Sequence, residues 1–449
     1  MSKVCKFGGS SLANAAQIEK VIEIIEMDPS RQFIVVSAPG KSRPSELKMT
    51  DLLIGLAEAR LNGLDGKREY ELIARRISGI CHDLKLPPEL LAEIEENILQ
   101  AANASTANGA AYAAALKAQG EDACARILAA ALTQAGIEAD YMSPEEAGIL
   151  LHGPHDDAEI DPKSYTLLSQ LRYEERTLVI PGYYGISQEG EILTFSRGGS
   201  DISGAIIAAG IDAPVYEIWT DVDSVFAASP QLVDEPKQIR ELSYREMREL
   251  AYLGASVVHP EAMLPIYNKA IPMHILNTNN PDAKGTMIVR ERSNFDGVVT
   301  GISGSRNFCS LNISEYLLNR RVGIVRDILD ILAEEGVSFE HMPSSIDSIS
   351  IILRDENFSK AKEETIIRRL QEELELETVE VVRGLALVML VGEAMADTVG
   401  VTSRAVNCLS AASISLEMII QDHSEMSVIF VVDGKFCNYA IETLYYEYF

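Results

Sequence analysis

The sequence predicts an α/β protein in which helices cover both faces of a parallel sheet, a three-layer arrangement, followed by two smaller α+β modules of ferredoxin-like topology. Short buried strands such as 3–7 and 33–36 alternate with amphipathic helices through short links, which is typical of a parallel sheet. From about residue 298 the pattern changes, and strand and helix signals recur after 77 residues. The 449 residues, 47% of them hydrophobic, suffice for two or three cores.

The composition excludes several classes of protein. A formal net charge of -28 disfavours nucleic acid as a partner, although a few local cations would still suffice for a small nucleotide. The six cysteines lie far apart without a Cys-x-x-Cys pair, so we expect reduced core residues rather than zinc ligands. No basic leader precedes an apolar segment, and no apolar run approaches about 20 residues. We therefore expect a cytoplasmic protein without a membrane anchor.

A lysine and a glycine turn mark the end of the first predicted strand. Lys6 lies near the end of strand 3–7, and Gly8-Gly9-Ser10-Ser11 leads into an amphipathic helix. The order differs from a Walker motif, because the lysine precedes the glycines. The N–H groups of Gly8 and Gly9 could cradle phosphates while Lys6 offsets the charge of a transferring group. The alternative is a purely structural turn.

A second anion-binding pattern occurs in residues 194–226. It predicts a loop at Arg197 to Asp201, a helix from about 202 to 209, and a strand that ends at Thr220 and Asp221. Ser200 or Asp201 could cap the helix, whose N-terminus favours phosphate or carboxylate. Arg197 has the fork shape that suits a carboxylate, and Asp201 offers a hard oxygen for Mg²⁺. A tight turn with a capping aspartate would also fit.

Other polar residues are predicted near the same edge of the sheet. Ser37 follows strand 33–36, and Thr50 precedes another helix, so both should open with Lys6 onto the carboxyl ends of the strands. Residues 56–135 are mostly helical. Gly120-Glu121 is expected to begin a helix, where Glu121 is either a surface acid matched to the helix dipole or the partner of a substrate ammonium group.

Seven motifs together resemble the aspartokinase family, which belongs to the amino-acid kinase superfamily. In chain order they are Lys6-Phe-Gly-Gly-Ser-Ser, Ser37-Ala-Pro-Gly, Gly120-Glu121, Pro181-Gly-Tyr-Tyr-Gly185, Arg197-Gly-Gly-Ser-Asp201, Trp219-Thr-Asp-Val222 and Leu250-Ala-Tyr-Leu-Gly-Ala-Ser-Val-Val-His-Pro260. The likeness is collinear to about residue 290, which predicts a catalytic domain over 1–292. The chain is most similar to the shorter, single-function bacterial members without a fused dehydrogenase.

The resemblance implies phosphorylation of L-aspartate by ATP with Mg²⁺, giving 4-phospho-L-aspartate in the first step of lysine, threonine and methionine biosynthesis. Lys6 and Asp201 would be catalytic, with Asp201 also the metal residue. The nucleotide would be held by Lys6, Phe7, Gly8, Gly9, Ser10, Thr220, Asp221, Phe226 (often tyrosine in relatives), Ser256 and Val257. Aspartate would be held by Ser37, Thr50, Glu121, Arg197 and Ser200, with Glu121 facing its ammonium and Arg197 its α-carboxylate.

Several positions depart from the family pattern. Gln119 stands where an arginine is common, Ser229 and Gln231 replace an aspartate and an arginine, and Ser256 replaces a lysine. Two of the lost cations would lie near the nucleotide. A charged contact to a desolvated phosphate is worth about 1.5 to 3 kcal/mol. The departures therefore predict weaker binding of ATP.

The C-terminal region contains an internal repeat without gaps. Val322, Gly323, Leu332, Ser338, Glu340 and Ser350 recur 77 residues later as Val399, Gly400, Leu409, Ser415, Glu417 and Ser427. The tandem resembles the ACT regulatory modules of aspartokinases and is predicted at 298–383 and 384–449. A nested arrangement would let a last strand in 438–449 complete the first module.

The ACT resemblance implies an amino-acid effector, most simply lysine, bound where a strand meets a helix. The effector residues would be Gly323, Ser338, Glu340, Ser344 and Ser345. Two small sheets leave edges to cover, so a homodimer or a larger homo-oligomer is expected. The alternative is a module that serves only dimerisation.

Two other functions stay open at this point. One is a kinase acting on glutamate or carbamate, which the tandem modules and Trp219-Thr-Asp-Val222 disfavour. The other is an amino-acid sensor that has lost useful ATP binding, which Gln231 and Ser256 favour. Turnover of glutamate, or binding of lysine or threonine without affinity for Mg-ATP, would distinguish them.

Overall fold

The computed structural model describes residues 2–196, 198–254 and 258–449. The chain forms two compact units. The first comprises Met1–Val225, Gln238–Met247 and Val257–Asn294, and the second comprises Phe226–Lys237, Arg248–Ser256 and Phe295–Phe449. The predicted boundary at residue 292 stays a prediction. The compact units differ from it because two short segments of the first 292 residues group with the C-terminal region.

The first unit is built from short strands and longer helices. Its strands are β1 (Lys3–Phe7), β2 (Arg31–Val36), β3 (Ala139–Tyr141), β4 (Leu151–His152), β5 (Glu159–Ile160), β6 (Thr177–Pro181), β7 (Tyr184–Ile186), β8 (Ile192–Thr194), β9 (Tyr216–Thr220), β10 (Glu241–Ser243), β11 (Met273–Asn277) and β12 (Thr286–Val289). Its helices are α1 (Ala15–Met27), α2 (Met49–Leu61), α3 (Lys67–Asp83), α4 (Pro88–Ala102), α5 (Gly109–Gln134), α6 (Pro144–Ala147), α7 (Lys163–Leu168), α8 (Gly199–Ile211), α9 (Tyr244–Tyr252), whose last turn belongs to the second unit, and α10 (Leu264–Lys269).

The main sheet confirms the predicted parallel architecture. Its eight strands have the order β10-β12-β11-β9-β1-β2-β6-β3. Strands β11, β9, β1, β2, β6 and β3 pair in parallel, and β12 reverses the direction at one side. Residues 33–36 of β2 are fully buried, as expected for a strand covered on both faces. The carboxyl ends of six neighbouring strands therefore meet at one edge of the sheet.

Two predicted helix starts are wrong. Helix α8 begins at Gly199 rather than near 202, because Gly198 forms the N-cap in the left-handed region at φ +77°. Asp201 therefore lies in the first turn, and neither it nor Ser200 is the cap. Helix α5 begins at Gly109, with Asn108 capping the N–H of Ala111, so the expected start at Gly120 is in fact mid-helix.

The second unit contains one antiparallel sheet. Its strands are β13 (Gly301–Ser314), β14 (Ser348–Arg354), β15 (Thr378–Val391), β16 (Met418–Gln421) and β17 (Ser427–Asp433), in the order β14-β13-β15-β17-β16. Its helices are α11 (Ile324–Glu334), α12 (Lys360–Glu373), α13 (Val401–Ala411) and α14 (Cys437–Tyr448).

The internal repeat is visible in the structure. Gly323 and Gly400 are the N-caps of α11 and α13, with φ +87° and +91°, and each helix has 11 residues. Leu332 and Leu409 are both buried. The two long strands serve both copies, since residues 308–314 of β13 pair with β14 whereas residues 385–391 of β15 pair with β17.

The last segment is a helix, so the final strand that a nested arrangement would have allowed is not formed there. Its buried residues recur at helical spacing, and they are Cys437, Ala440, Ile441, Leu444 and Tyr445. An additional strand does join the second copy at its edge. It is formed by residues 301–305 of β13, which pair with residues 387–391 of β15. In 2–196, 198–254 and 258–449, we find no helix with the length and apolar character needed to span a membrane.

Candidate active site

Strand alternation places Lys6 against helix α8. Cys5 and Phe7 belong to the core that α1 to α5 form on one face of the sheet, so Lys6 points to the other face. There its Nζ lies 2.6 Å from Oδ1 of Asp201 in the first turn of α8, with the side chains only 11% and 12% exposed. The structure thus brings together the two residues predicted to be catalytic, a cation and a hard oxygen ligand, at the carboxyl edge.

The glycine turn after β1 packs closely at this edge. A Cβ atom on Gly9 would lie 2.9 Å from the carbonyl oxygen of Ala38, and one on Gly40 would lie 2.5 Å from that of Gly9. The prediction that the N–H of Gly8 holds phosphate is wrong, because this N–H donates to the carbonyl of Trp219 at 3.1 Å. The missing side chain of Gly8 instead leaves room beside Lys6, since a Cβ atom on Gly8 would lie 3.7 Å from Nζ of Lys6.

Glu121 is buried in the middle of α5, with only 4% of the residue exposed. Burial raises the pKa of its carboxyl to about 8, whereas hydrogen bonds from the backbone of Ala38 and of Glu121 itself, together with the charge of Lys6, oppose that rise. Its Oε2 atom has no hydrogen-bond partner among the described residues. A buried carboxylate oxygen without a partner suits a ligand cation, as predicted for a substrate ammonium group.

The other predicted substrate residues surround the same strand ends. The N–H of Ser37 donates to the carbonyl of Phe7 at 3.2 Å. Thr50 is half-buried in the first turn of α2. A Cβ on Gly182, which follows β6, would lie 2.8 Å from Cβ of Ser200, so the first turn of α8 contacts that loop closely.

The residues predicted to bind the nucleotide do not all lie in one described part of the molecule. Thr220 and Asp221 lie at the end of β9, and Ser10 is exposed in the turn after β1. The ring of Phe7 is fully buried, so only its backbone could contact a ligand. Phe226 belongs to the second unit. Arg197, Ser256 and Val257 lie outside the described residues.

The sequence reading missed a polar cluster after β11. Nδ2 of Asn277 donates to Oδ1 of Asp223 at 2.7 Å, and Nδ2 of Asn280 donates to the same oxygen at 3.1 Å. The hydroxyls of Ser11 and Thr278 are 2.8 Å apart. An Asn-Thr-Asn-Asn run directly after a buried strand was the signal that could have indicated these residues.

Two of the unusual substitutions make hydrogen bonds within their own segments. The amide Nε2 of Gln119 donates within α5 to the carbonyl of Ala115 at 3.4 Å. In the second unit, the N–H of Gln231 donates to Oγ of Ser229 at 3.3 Å, and both residues are exposed or partly exposed in a turn. Neither residue supplies a cation.

The predicted effector residues occupy the first copy of the repeat. Gly323 caps α11, and Ser338, Ser344 and Ser345 are exposed. The effector was expected where a strand meets a helix, but residues 338–347 form no regular strand and make only isolated bridges, from His341 to Ile352 and from Ser344 to Ile349.

Glu340 differs from these exposed serines because its carboxylate is engaged. Oε1 accepts a hydrogen bond from Nε of Arg354 at 2.8 Å, and Oε2 accepts one from the hydroxyl of Tyr252. Both carboxylate oxygens of the one acidic residue predicted to hold an effector are thus already bonded.

Two family models match the chain. The amino acid kinase family matches residues 1–277, and an ACT domain model matches residues 388–448. The sequence is 43% identical over 447 residues to aspartokinase 3 of Bacillus subtilis (strain 168), covering 100% of this chain and 98% of that protein.

Solved structures of aspartate kinases are similar over the whole chain. The enzyme of Clostridium acetobutylicum has a TM-score of 0.84 and 36% identity, covering 100% of this chain and 99% of that one. Aspartokinase III of Escherichia coli, solved with aspartate and ADP, has a TM-score of 0.80 at 25% identity, with 100% and 99% coverage. The same protein solved with lysine and aspartate has a TM-score of 0.79, at the same identity and coverage.

Proposed function

Because the chain belongs to the aspartokinases, we propose that it transfers the γ-phosphoryl group of ATP to the side-chain carboxylate of L-aspartate. The product is 4-phospho-L-aspartate, made in the first step of the aspartate pathway. The observation that supports the residue assignment is the buried pair of Lys6 and Asp201 at the carboxyl edge, with the open carboxylate oxygen of Glu121 in the same unit.

The substrate is held so that its side chain faces the phosphate. Glu121 binds the ammonium group, and by family resemblance Arg197 binds the α-carboxylate. Ser37, Thr50 and Ser200 complete the pocket with hydroxyl groups. Holding both α-substituents leaves the side-chain carboxylate as the free nucleophile, which is how a kinase of this kind selects aspartate by shape and charge.

The chemistry requires no general base. The side-chain carboxylate of aspartate is already ionised at neutral pH, so an oxygen lone pair attacks the γ-phosphorus directly. The new P–O bond forms as the bond to the β-phosphate oxygen breaks, and that oxygen leaves with its electron pair as part of ADP. Lys6 stabilises the negative charge that spreads over the transferring group.

Asp201 fits a magnesium site that is completed by phosphate. It offers a hard oxygen, and the described residues include no group of three metal-ligating side chains. Mg²⁺ binds through one or two carboxylates together with substrate phosphates and water, so one protein carboxylate suffices. Asp201 would hold the ion, which when bound neutralises phosphate charge. The ion pair with Lys6 holds the Asp201 carboxylate in place.

We also propose that the C-terminal region binds an amino-acid effector, with lysine the first candidate, and forms a homodimer. The relative from Escherichia coli was solved with lysine. Val322 and Val399, equivalent in the two copies, are both fully exposed beside the capping glycines. Burial in a second subunit would remove this apolar surface from water. The proposed organisation remains a catalytic region over 1–292 and ACT modules at 298–383 and 384–449.

Trapping the acyl phosphate with hydroxylamine tests the proposed activity. With Mg-ATP, aspartate should give a hydroxamate and glutamate should not, and millimolar lysine should lower the yield. Turnover of glutamate in preference to aspartate would contradict the substrate assignment. A folded protein that binds lysine yet neither turns over aspartate nor binds Mg-ATP would contradict the enzyme and favour the sensor.

A further inference from the structure

We infer that Glu340 couples the effector to residues 255–257, here called the nucleotide segment, because its Oε2 atom bonds either to the hydroxyl of Tyr252 or to the ammonium group of an amino-acid effector. The inference rests on the effector site proposed above. It adds the contact through which occupancy of that site reaches catalysis.

The bonds to Glu340 leave little room for a further cation. Its side chain is 14% exposed, with Arg354 on one oxygen and Tyr252 on the other. The Arg354 guanidinium also stacks 5.8 Å from the centre of the Tyr252 ring and 5.1 Å from that of Phe308. The ring of His341 packs edge-on against Tyr252 with centroids 5.9 Å apart. Since the packed aromatic and guanidinium groups restrict access to this carboxylate, we expect an ammonium group that binds Oε2 to take the place of the Tyr252 hydroxyl.

Tyr252 connects this cluster to the nucleotide segment along the chain. It is the last residue of α9, and residues 255–257, which include the predicted nucleotide contacts Ser256 and Val257, follow after two residues. The second copy of the repeat also holds this helix end, since Oγ of Ser427 donates to Glu249 at 3.2 Å. Release of Tyr252 would remove one of the bonds that hold the end of α9, which the nucleotide segment follows in the chain.

The second copy of the repeat shows that the fold does not require this cluster. Glu417, the counterpart of Glu340, is exposed. The N–H of Glu340 donates to the carbonyl of Ile352 as that of Glu417 donates to Val431, so the counterpart of Arg354 is Asp433. An aspartate supplies no guanidinium to hold Glu417 from there. Both copies nevertheless keep the same helix cap and strand pairing. Among the described residues this cluster occurs in the first copy, and the second copy forms the same helix cap without it.

Competition between the effector and Tyr252 for Glu340 predicts the direction in which each binding constant changes. If the effector and Tyr252 compete for Glu340, removing the Tyr252 hydroxyl must strengthen the binding of the effector and weaken the binding of ATP. Tyr252→Phe should therefore lower the lysine concentration for half-inhibition by about tenfold and raise the KM for ATP, a coupling of ordinary size. Glu340→Gln can still accept one hydrogen bond but cannot pair with an ammonium, so it should abolish inhibition by lysine.

Steady-state kinetics of the full-length enzyme, with calorimetric titration of lysine, tests the inference. Glu417→Gln is the matched control and should leave inhibition by lysine and the KM for ATP unchanged. Unchanged inhibition and ATP binding in Tyr252→Phe would overturn the coupling, and so would Glu340→Gln with normal sensitivity to lysine. A wild-type enzyme that neither binds nor responds to lysine or threonine would overturn the effector proposal itself. That result is distinguishable because it appears before any variant is made.

Discussion

At the scale of single residues, Gly120 explains the character of Glu121. A Cβ at position 120 would lie 2.8 Å from Cβ of Ala38, so the glycine allows α5 to approach the loop after β2. The close approach excludes water from the neighbouring carboxyl and raises its pKa to about 8. The sequence indicated Gly120-Glu121 as a motif but did not show that Glu121 is buried. A glycine before a glutamate more often suggests the start of a helix than a close contact between a helix and a loop.

The pKa of Glu121 predicts how aspartate binding depends on pH. Only the ionised carboxylate attracts an ammonium group, and this form becomes scarce when the pH falls below the pKa of Glu121, which is about 8. The KM for aspartate should therefore fall as pH rises from about 6 to about 8, by up to tenfold per pH unit, and then level off. Initial rates across this range measure it. Glu121→Gln should bind aspartate weakly with a flat profile, and an equally steep profile in that variant would exclude Glu121 as the titrating group.

Lys6 should act on the transition state more than on substrate binding. Lys6→Ala should lower kcat by about 10² to 10³, the usual cost of removing a preorganised charge, with a much smaller change in the KM for aspartate. Steady-state kinetics at saturating ATP separates the two. Lys67→Ala, which changes an exposed lysine of α3, is the matched control. Near-normal turnover in Lys6→Ala would show that Lys6 does not face the transferring phosphoryl group.

At the scale of elements, hydrophobic pattern predicted the strands well and the helix ends poorly. Strands β1, β2 and β9 lie where buried apolar runs placed them. Helix α8 begins earlier than predicted because Gly198 adopts a left-handed conformation. A glycine permits this conformation without requiring it, so the sequence does not fix the position of the cap. A last strand in 438–449 was an open alternative that came from the family resemblance, whereas the helical spacing of the buried residues in this segment fits the helix that forms.

The two capping glycines of the repeat should tolerate alanine badly. Gly400 has φ +91° with no atom within 4 Å of an added Cβ, so Gly400→Ala should cost about 1 to 2 kcal/mol through backbone strain alone. Gly79 inside α3 also has open space but no positive φ, and Gly79→Ala should instead stabilise by about 0.5 to 1 kcal/mol. Urea unfolding followed by circular dichroism measures both. A stabilising Gly400→Ala would contradict the left-handed cap.

At the scale of the whole molecule, topology supplies contacts that local sequence cannot. Lys6 and Asp201 are 195 residues apart, yet strand alternation and a parallel sheet are enough to expect them on one face near one edge. No comparable rule joins Tyr252 to Glu340, because that contact depends on how α9 and the loop after α11 pack. The sequence therefore predicted that Lys6 and Asp201 lie together, and it gave no sign of the cluster around Glu340.

The shared long strands predict that the two C-terminal modules unfold together. Strands β13 and β15 each run through both copies, so loss of packing in one copy should loosen both. Leu332→Ala and Leu409→Ala remove equivalent buried side chains, and each should cost about 2 to 5 kcal/mol. Hydrogen exchange read by mass spectrometry should show lower protection in both copies for either variant. Loss confined to the mutated copy would show that they fold separately.

The single tryptophan of the chain makes the catalytic edge optically visible. Trp219 is buried in β9, stacks on Phe7 with ring centroids 5.9 Å apart, and donates its indole N–H to Glu217 at 3.0 Å. Thr220 follows Trp219 directly, and the backbone carbonyl of Trp219 accepts a hydrogen bond from the N–H of Gly8. Indole emission therefore comes from one fixed place beside the glycine turn. Titrating Mg-ATP or aspartate should be observable in the unlabelled protein, with no other indole to obscure the signal.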